Sequence, residues 1–180
     1  YSIDKAGINA YNKIDLCRKG DDWMKAIILY CSRTGNTENL VHRICRTIPA
    51  DTLKVEPREP YGSYISSVLR VRKERKNNII PEALTPAPDL AGYDLVFVGF
   101  PIWFNDIPAF FGSFLLRCNL REKTVIPFST STNSTILNCL TTLKRICPDS
   151  ILKYPFAHIT LKRSDTSGWL SLLKTSCGAG

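Results

Sequence analysis

The chain has 180 residues, 44% of them hydrophobic and 22% charged, and 24 Lys and Arg against 16 Asp and Glu give a formal net charge of +8. That length suits one domain whose core supports helices on both sides of a sheet, and no apolar run approaches the ~20 residues of a membrane-spanning helix. Seven cysteines form no Cys-x-x-Cys pair and the two histidines, His42 and His158, lie far apart, which argues against a zinc site or a cysteine–histidine nucleophile and makes a reducing cytoplasm the simplest setting.

Residues 1–23 show no sustained period and read as a flexible extension ahead of a domain spanning 24–180. No apolar core flanked by basic residues marks them as a secretory signal. Strands are expected near 25–30, 51–55, 94–100, 124–129 and 151–159, alternating with helices near 36–48, 62–77, 107–118, 135–146 and 166–175. This is the βα alternation of an α/β parallel sheet. Ala26 to Tyr30 form a continuous apolar run, as in a strand covered on both faces. The chain then turns polar. Ser32, Thr34, Asn36 and Thr37 supply four side-chain donors, and Gly35 lets the backbone approach a bound group closely. The next helix places Leu40, Val41, Ile44 and Ile48 near one face, so this loop sits at a helix N-terminus whose unpaired N–H groups and positive dipole end attract an anion. A helix cap by Thr34 or Asn36 is the plainer alternative. No Lys follows the glycine and no further glycine joins it, which excludes a Walker loop and a dinucleotide fingerprint; a single terminal phosphate fits better.

Arg70, Arg72, Lys73, Arg75 and Lys76 concentrate charge on the second helix. They read as a solvated face, because no aromatics interleave the run as a specific nucleic-acid patch would require, and they favour acidic or anionic partners. Asn77 to Leu90 carries Pro81, Pro86 and Pro88 and reads as a connecting loop. The apolar strand Asp94 to Phe100 is ended by Pro101, and Pro108 suits the first turn of the helix holding Phe110, Phe111 and Phe114. Trp103 and Phe104 therefore lie on a connection at the carboxyl end of a strand, as the first loop does, and a flat aromatic ligand with a phosphate tail would use both.

These segments resemble the flavodoxin family, in particular its compact members with SRTGNT and PIWW-type loops. The resemblance begins at Met24 and takes in EPREPY at Glu56 to Tyr61, YDLVFVGFPIW at Tyr93 to Trp103, VIPFSTS at Val125 to Ser131 and RICP at Arg145 to Pro148. It implies a doubly wound five-stranded parallel sheet of order 2-1-3-4-5, helices on both faces, and FMN held noncovalently at the strand ends. Carried over by position, Ser32, Arg33, Thr34, Gly35, Asn36 and Thr37 would wrap the phosphate. Pro101, Ile102, Trp103, Phe104 and Asn105 would line the ring, with an adjustable turn at Asn105–Asp106. Thr130, Ser131, Thr132, Asn133 and Ser134 would form a third contact loop, with no catalytic side chain and no metal. Three departures stand out: Phe104 and Asn105 replace a tryptophan and a glycine, the third loop lacks glycine, and Cys31 replaces a bulky residue. The implied function is a redox flavoprotein carrying electrons to a partner protein or a small acceptor such as a quinone, acidic or anionic in either case. The alternative is a flavodoxin-fold interaction module docking through its basic surface.

Overall fold

The computed structural model describes residues 18–19, 22–161 and 164–176. Arg18–Lys19 and Asp22–Trp23 pair as a short antiparallel ladder. The remainder of the 1–23 segment, and with it the expected flexibility, lies outside the described residues.

Ala26–Tyr30 (β1) is buried throughout, as its unbroken apolar sequence requires. It pairs in parallel with Asp51–Lys54 (β2) on one side and Leu95–Pro101 (β3) on the other. β3 pairs in parallel with Thr124–Ser131 (β4), running from Leu95 opposite Thr124 to Pro101 opposite Thr130. Ile151–Leu152 (β5) and Phe156–Ile159 (β6) both pair with β4. The order is therefore β2-β1-β3-β4-β5, with β6 also alongside β4. The strand expected over 151–159 is interrupted at Lys153–Tyr154–Pro155. Pro155 cannot donate to a ladder, and Tyr154 takes a φ of 48° while its carbonyl accepts the Trp169 indole N–H at 3.0 Å.

Side-chain alternation along the strands divides the interior into two layers. Ile27, Leu29, Val96, Val98 and Phe100 meet Phe111 and Phe114 of Ala109–Arg117 (α3) and Leu143 of Leu137–Ile146 (α4). Ile28, Tyr30, Phe97, Ile126 and Phe128 meet Leu40, Val41 and Ile44 of Asn36–Cys45 (α1) and Trp169 of Thr166–Ser176 (α5). The remaining helix, Tyr64–Lys76 (α2), contributes no apolar side chain to either cluster among the described residues. It stands instead beside the carboxyl ends of β1 and β3. No helix among the described residues is long and apolar enough to cross a membrane.

Candidate functional site

Beyond β1 the Cys31 N–H donates to the Gly99 carbonyl at 3.0 Å, and the chain then leaves the sheet. The Ser32 hydroxyl accepts the Glu38 N–H at 3.4 Å. Gly35 occupies the N-cap of α1 in the left-handed region, φ 82° and ψ −14°, and has no side chain of its own to cap the helix, so Ser32 satisfies a first-turn N–H from outside it. The cap by Thr34 or Asn36 is thus not made, and the opening of α1 is shaped by a backbone conformation that only glycine adopts without strain. Thr37, fully buried, shares a 2.8 Å hydrogen bond with Thr130 that ties this loop to the end of β4. Arg33 reaches across to donate to the Gly62 carbonyl at 3.2 Å and lies over the Tyr64 ring.

The second loop begins with Pro101 still inside β3, where its missing N–H leaves the pairing with Thr130 intact. Pro108 is the N-cap of α3 rather than a residue of its first turn. Between them Trp103 and Asp106 exchange backbone hydrogen bonds at 2.9 and 3.0 Å. Phe104 and Asn105, at φ 50° and 62°, are the two central residues of this tight turn, so it is centred one residue earlier than the expected Asn105–Asp106. Two successive positive φ values define a type I′ turn, which suits asparagine and strains phenylalanine. Two arginines of α2 brace the strained residue. Arg75 donates to the Phe104 carbonyl at 3.1 Å, and the Arg72 and Arg75 guanidinium groups lie over the Phe104 ring. Asn105 accepts the Ser134 hydroxyl at 3.1 Å, and Ser131 donates to the Ser134 carbonyl, joining the second and third loops.

Trp103 is held edge-on by Tyr61, ring centroids 4.8 Å apart, and Phe110 packs nearby. Tyr61 is itself fixed, because its hydroxyl donates to Glu74 at 2.9 Å and Arg70 covers its ring while donating to the same carboxylate at 2.6 Å. Burial, reinforced by the bond to Glu74, pushes the Tyr61 phenol well above its ordinary value. Cys31 is also buried beside this cluster, and desolvation holds its thiol protonated, which does not suit a nucleophile.

These loops enclose a cavity of about 550 Å³ at the strand ends. Arg33, Thr34, Asn36 and Thr37 line it from the first loop, Pro101, Ile102, Trp103 and Phe104 from the second, and Thr130, Ser131 and Thr132 from the third. Gly35 shapes the first loop from its backbone, Ser32 faces a neighbouring smaller cavity, and Asn105 and Ser134 act as the tie between loops. Asn133 is exposed and outside the lining. The fourth wall is α2, through Tyr64, Ser67, Val68, Val71 and Arg72, and Thr160 closes the rim. The sequence reading missed these. The signal was present as an apolar stripe at 64, 68 and 71, a helical i, i+4, i+7 spacing overshadowed by the helix's charge.

The lining combines hydroxyls at a helix N-terminus, which suit an anion, with the Trp103 indole, which suits a flat ring. Among the described residues no cluster of His, Cys, Asp and Glu could hold a metal ion. A parallel sheet of this order, with a cavity at the carboxyl ends of its strands, is a doubly wound α/β architecture. Within that class the family model for flavodoxin matches residues 25–171, and the chain belongs to the flavodoxin family. A flavoprotein from Bacteroides eggerthii is 27% identical, with a TM-score of 0.68 and coverage of 87% of this chain and 99% of that one. A flavoprotein from Bacteroides uniformis is 24% identical, with a TM-score of 0.69 over 82% of this chain and 98% of that one. A Lactobacillus acidophilus flavoprotein solved in complex with FMN is 20% identical, with a TM-score of 0.65 over 74% and 92% of the two chains. No sequence among the curated proteins matches.

Proposed function

We propose that this protein is an FMN-dependent redox carrier that passes electrons to an acidic partner protein or to a small anionic acceptor. The observation that carries the reading is one cavity lined both by the first turn of the glycine-started α1 and by the braced Trp103 indole. When bound, FMN supplies one- and two-electron chemistry that no side chain of this chain provides. Ser32, Thr34 and Asn36 belong to the phosphate-binding turn, where the α1 N-terminus favours negative charge. Trp103 and Phe104 present the apolar face for the ring, and Val68 and Val71 of α2 exclude water from the opposite side. The dense hydrogen bonding of the third loop, from Thr130 to Thr37 and from Ser134 to Asn105, serves in place of glycine flexibility by fixing the loop in one shape. The first 23 residues are an extension to the flavin domain, and the thiols at Cys31, Cys45, Cys118, Cys139 and Cys147 suit a reducing compartment.

The test is a visible absorbance spectrum of the purified protein before and after FMN is added, with affinity measured by titration. Flavin bands that co-elute with the protein, and an affinity at least about tenfold weaker in Trp103→Ala, are expected. Folded protein that leaves added FMN free in solution would overturn the reading and leave the interaction module in its place.

A further inference from the structure

A second cavity, of about 630 Å³, lies beside the first and shares Trp103 and Val71 with it. It opens between the end of α2, one side of α3 and the second half of α4. Its lining joins the aromatic Tyr61 and Trp103 and the apolar Ile107 and Ile146 to polar and charged side chains. Exposed Ile79, Ile80 and Leu116 form its rim. A volume of this size is in the range of small-molecule sites.

Two observations make it more than a packing defect. The first is Gly112, which lines the cavity from within α3. Glycine in a helix interior costs about 1 kcal/mol relative to alanine. Packing does not demand it, since a Cβ there would meet only the flexible end of Ile146, at 3.4 Å. What the absent side chain provides is room. The second observation is the distribution of charge. Both carboxylates in the lining are satisfied by the protein. Glu74 accepts from Arg70 and Tyr61, and Asp106 accepts from the Ile107 N–H at 2.8 Å and the Thr142 hydroxyl at 3.1 Å. Arg145 of α4 adds a guanidinium group, and Arg75 of α2, one nitrogen of which is engaged by the Phe104 carbonyl, adds further N–H donors; a guanidinium fork matches a carboxylate.

We propose that this cavity is a second binding site, taking a small flat aromatic anion whose ring lies against Tyr61 and Trp103 and whose acidic group meets Arg75 and Arg145. In the redox reading above, on which this interpretation of its purpose rests, the occupant is the small acceptor, placed across the indole from the cofactor cavity. Binding itself requires no flavin.

The test is calorimetric titration of 2-naphthoate into the protein with and without added FMN, in wild type, Gly112→Leu and Arg145→Glu. Wild-type protein is expected to bind the probe with FMN present, and each substitution to weaken it at least about tenfold while FMN affinity is unchanged. Arg145 is exposed on α4, so its replacement decides the matter should Gly112→Leu fail to fold. Absence of probe binding, equal affinity in wild type and Arg145→Glu, or displacement of the probe by FMN would each overturn the proposal. Failure of FMN to bind would overturn the cofactor reading alone, because the probe titration reports the second cavity directly.

Discussion

Two glycines show how different physical constraints are written in the same letter. Gly35 has open space around it, and a Cβ would meet nothing within 4 Å; its φ of 82° is what excludes other residues. Gly99 has an ordinary backbone, but a Cβ there would clash with the Phe128 ring. Gly35→Ala should therefore lower stability by only about 1 kcal/mol through backbone strain, while weakening FMN binding because the turn changes shape. Gly99→Ala should lower stability by about 1–3 kcal/mol, because the fully buried Phe128 ring must shift within a close-packed core to admit the methyl group. Urea denaturation of the two variants separates them, and equal losses would contradict the distinction. Gly35 was legible from its place in a polar loop after a strand. Gly99 was not, because the side chain that requires it belongs to a neighbouring strand with no signature near residue 99.

At the scale of elements, α2 differs most from its appearance in the sequence. Strands β1, β3 and β4 were legible because burial on both faces demands continuous apolar runs, and α1 and α3 because each covers a sheet face. A helix that lines a cavity instead has only a narrow stripe, and its five nearby basic residues invited a reading as a solvated face. In the structure several of those cations have specific work. Arg70 neutralises the buried Glu74, and Arg72 and Arg75 hold the strained Phe104 turn. The interruption before β6 was likewise hidden, since the Trp169 indole that satisfies the Tyr154 carbonyl arrives from α5. The α2 network yields a quantitative expectation. Because Tyr61, Glu74 and Arg70 share one set of contacts, Tyr61→Phe and Glu74→Gln should not be additive. Their double-mutant cycle should give a coupling of about 0.5–3 kcal/mol in unfolding free energy. Glu74→Gln alone should be the more damaging substitution, because it leaves the Arg70 charge half-buried beside a weaker acceptor. A coupling indistinguishable from zero would mean that Tyr61 is held by packing alone.

At the scale of the whole molecule, the net charge of +8 and the arginines around the cavities set the terms of encounter. Reaction of the reduced protein with an anionic acceptor should slow as salt is raised and that with a cationic acceptor should quicken, measured by stopped-flow reoxidation at several ionic strengths. A second molecule-wide feature is the pairing of tyrosine hydroxyls with carboxylates at three separate seams. Tyr30 on β1 donates to Glu38 of α1 at 3.0 Å, Tyr61 to Glu74 of α2 at 2.9 Å, and Tyr93 before β3 to Asp51 of β2 at 2.7 Å. Burial is the leading cause that raises Tyr30, to about 12, and the bond to Asp51 is the leading cause at Tyr93. Glu38 is lowered, first by accepting the Tyr30 hydroxyl. The signs follow from proton linkage. A phenol whose folded value lies above its unfolded value near 10 stabilises the fold fully below about pH 10, and that stability is lost as pH rises toward about 12 for Tyr30. Glu38 contributes in the opposite sense, with its share present above the ordinary carboxylate value and lost as pH falls through the lower folded one. Tyr30→Phe should accordingly flatten both limbs of the stability profile. Urea midpoints measured across acidic, neutral and alkaline pH should show a smaller alkaline decline than in wild type, and a smaller acid decline as Glu38 loses its largest stabilising partner. An unchanged slope on the alkaline side would show that the Tyr30 proton is not held more tightly in the fold than in the unfolded chain.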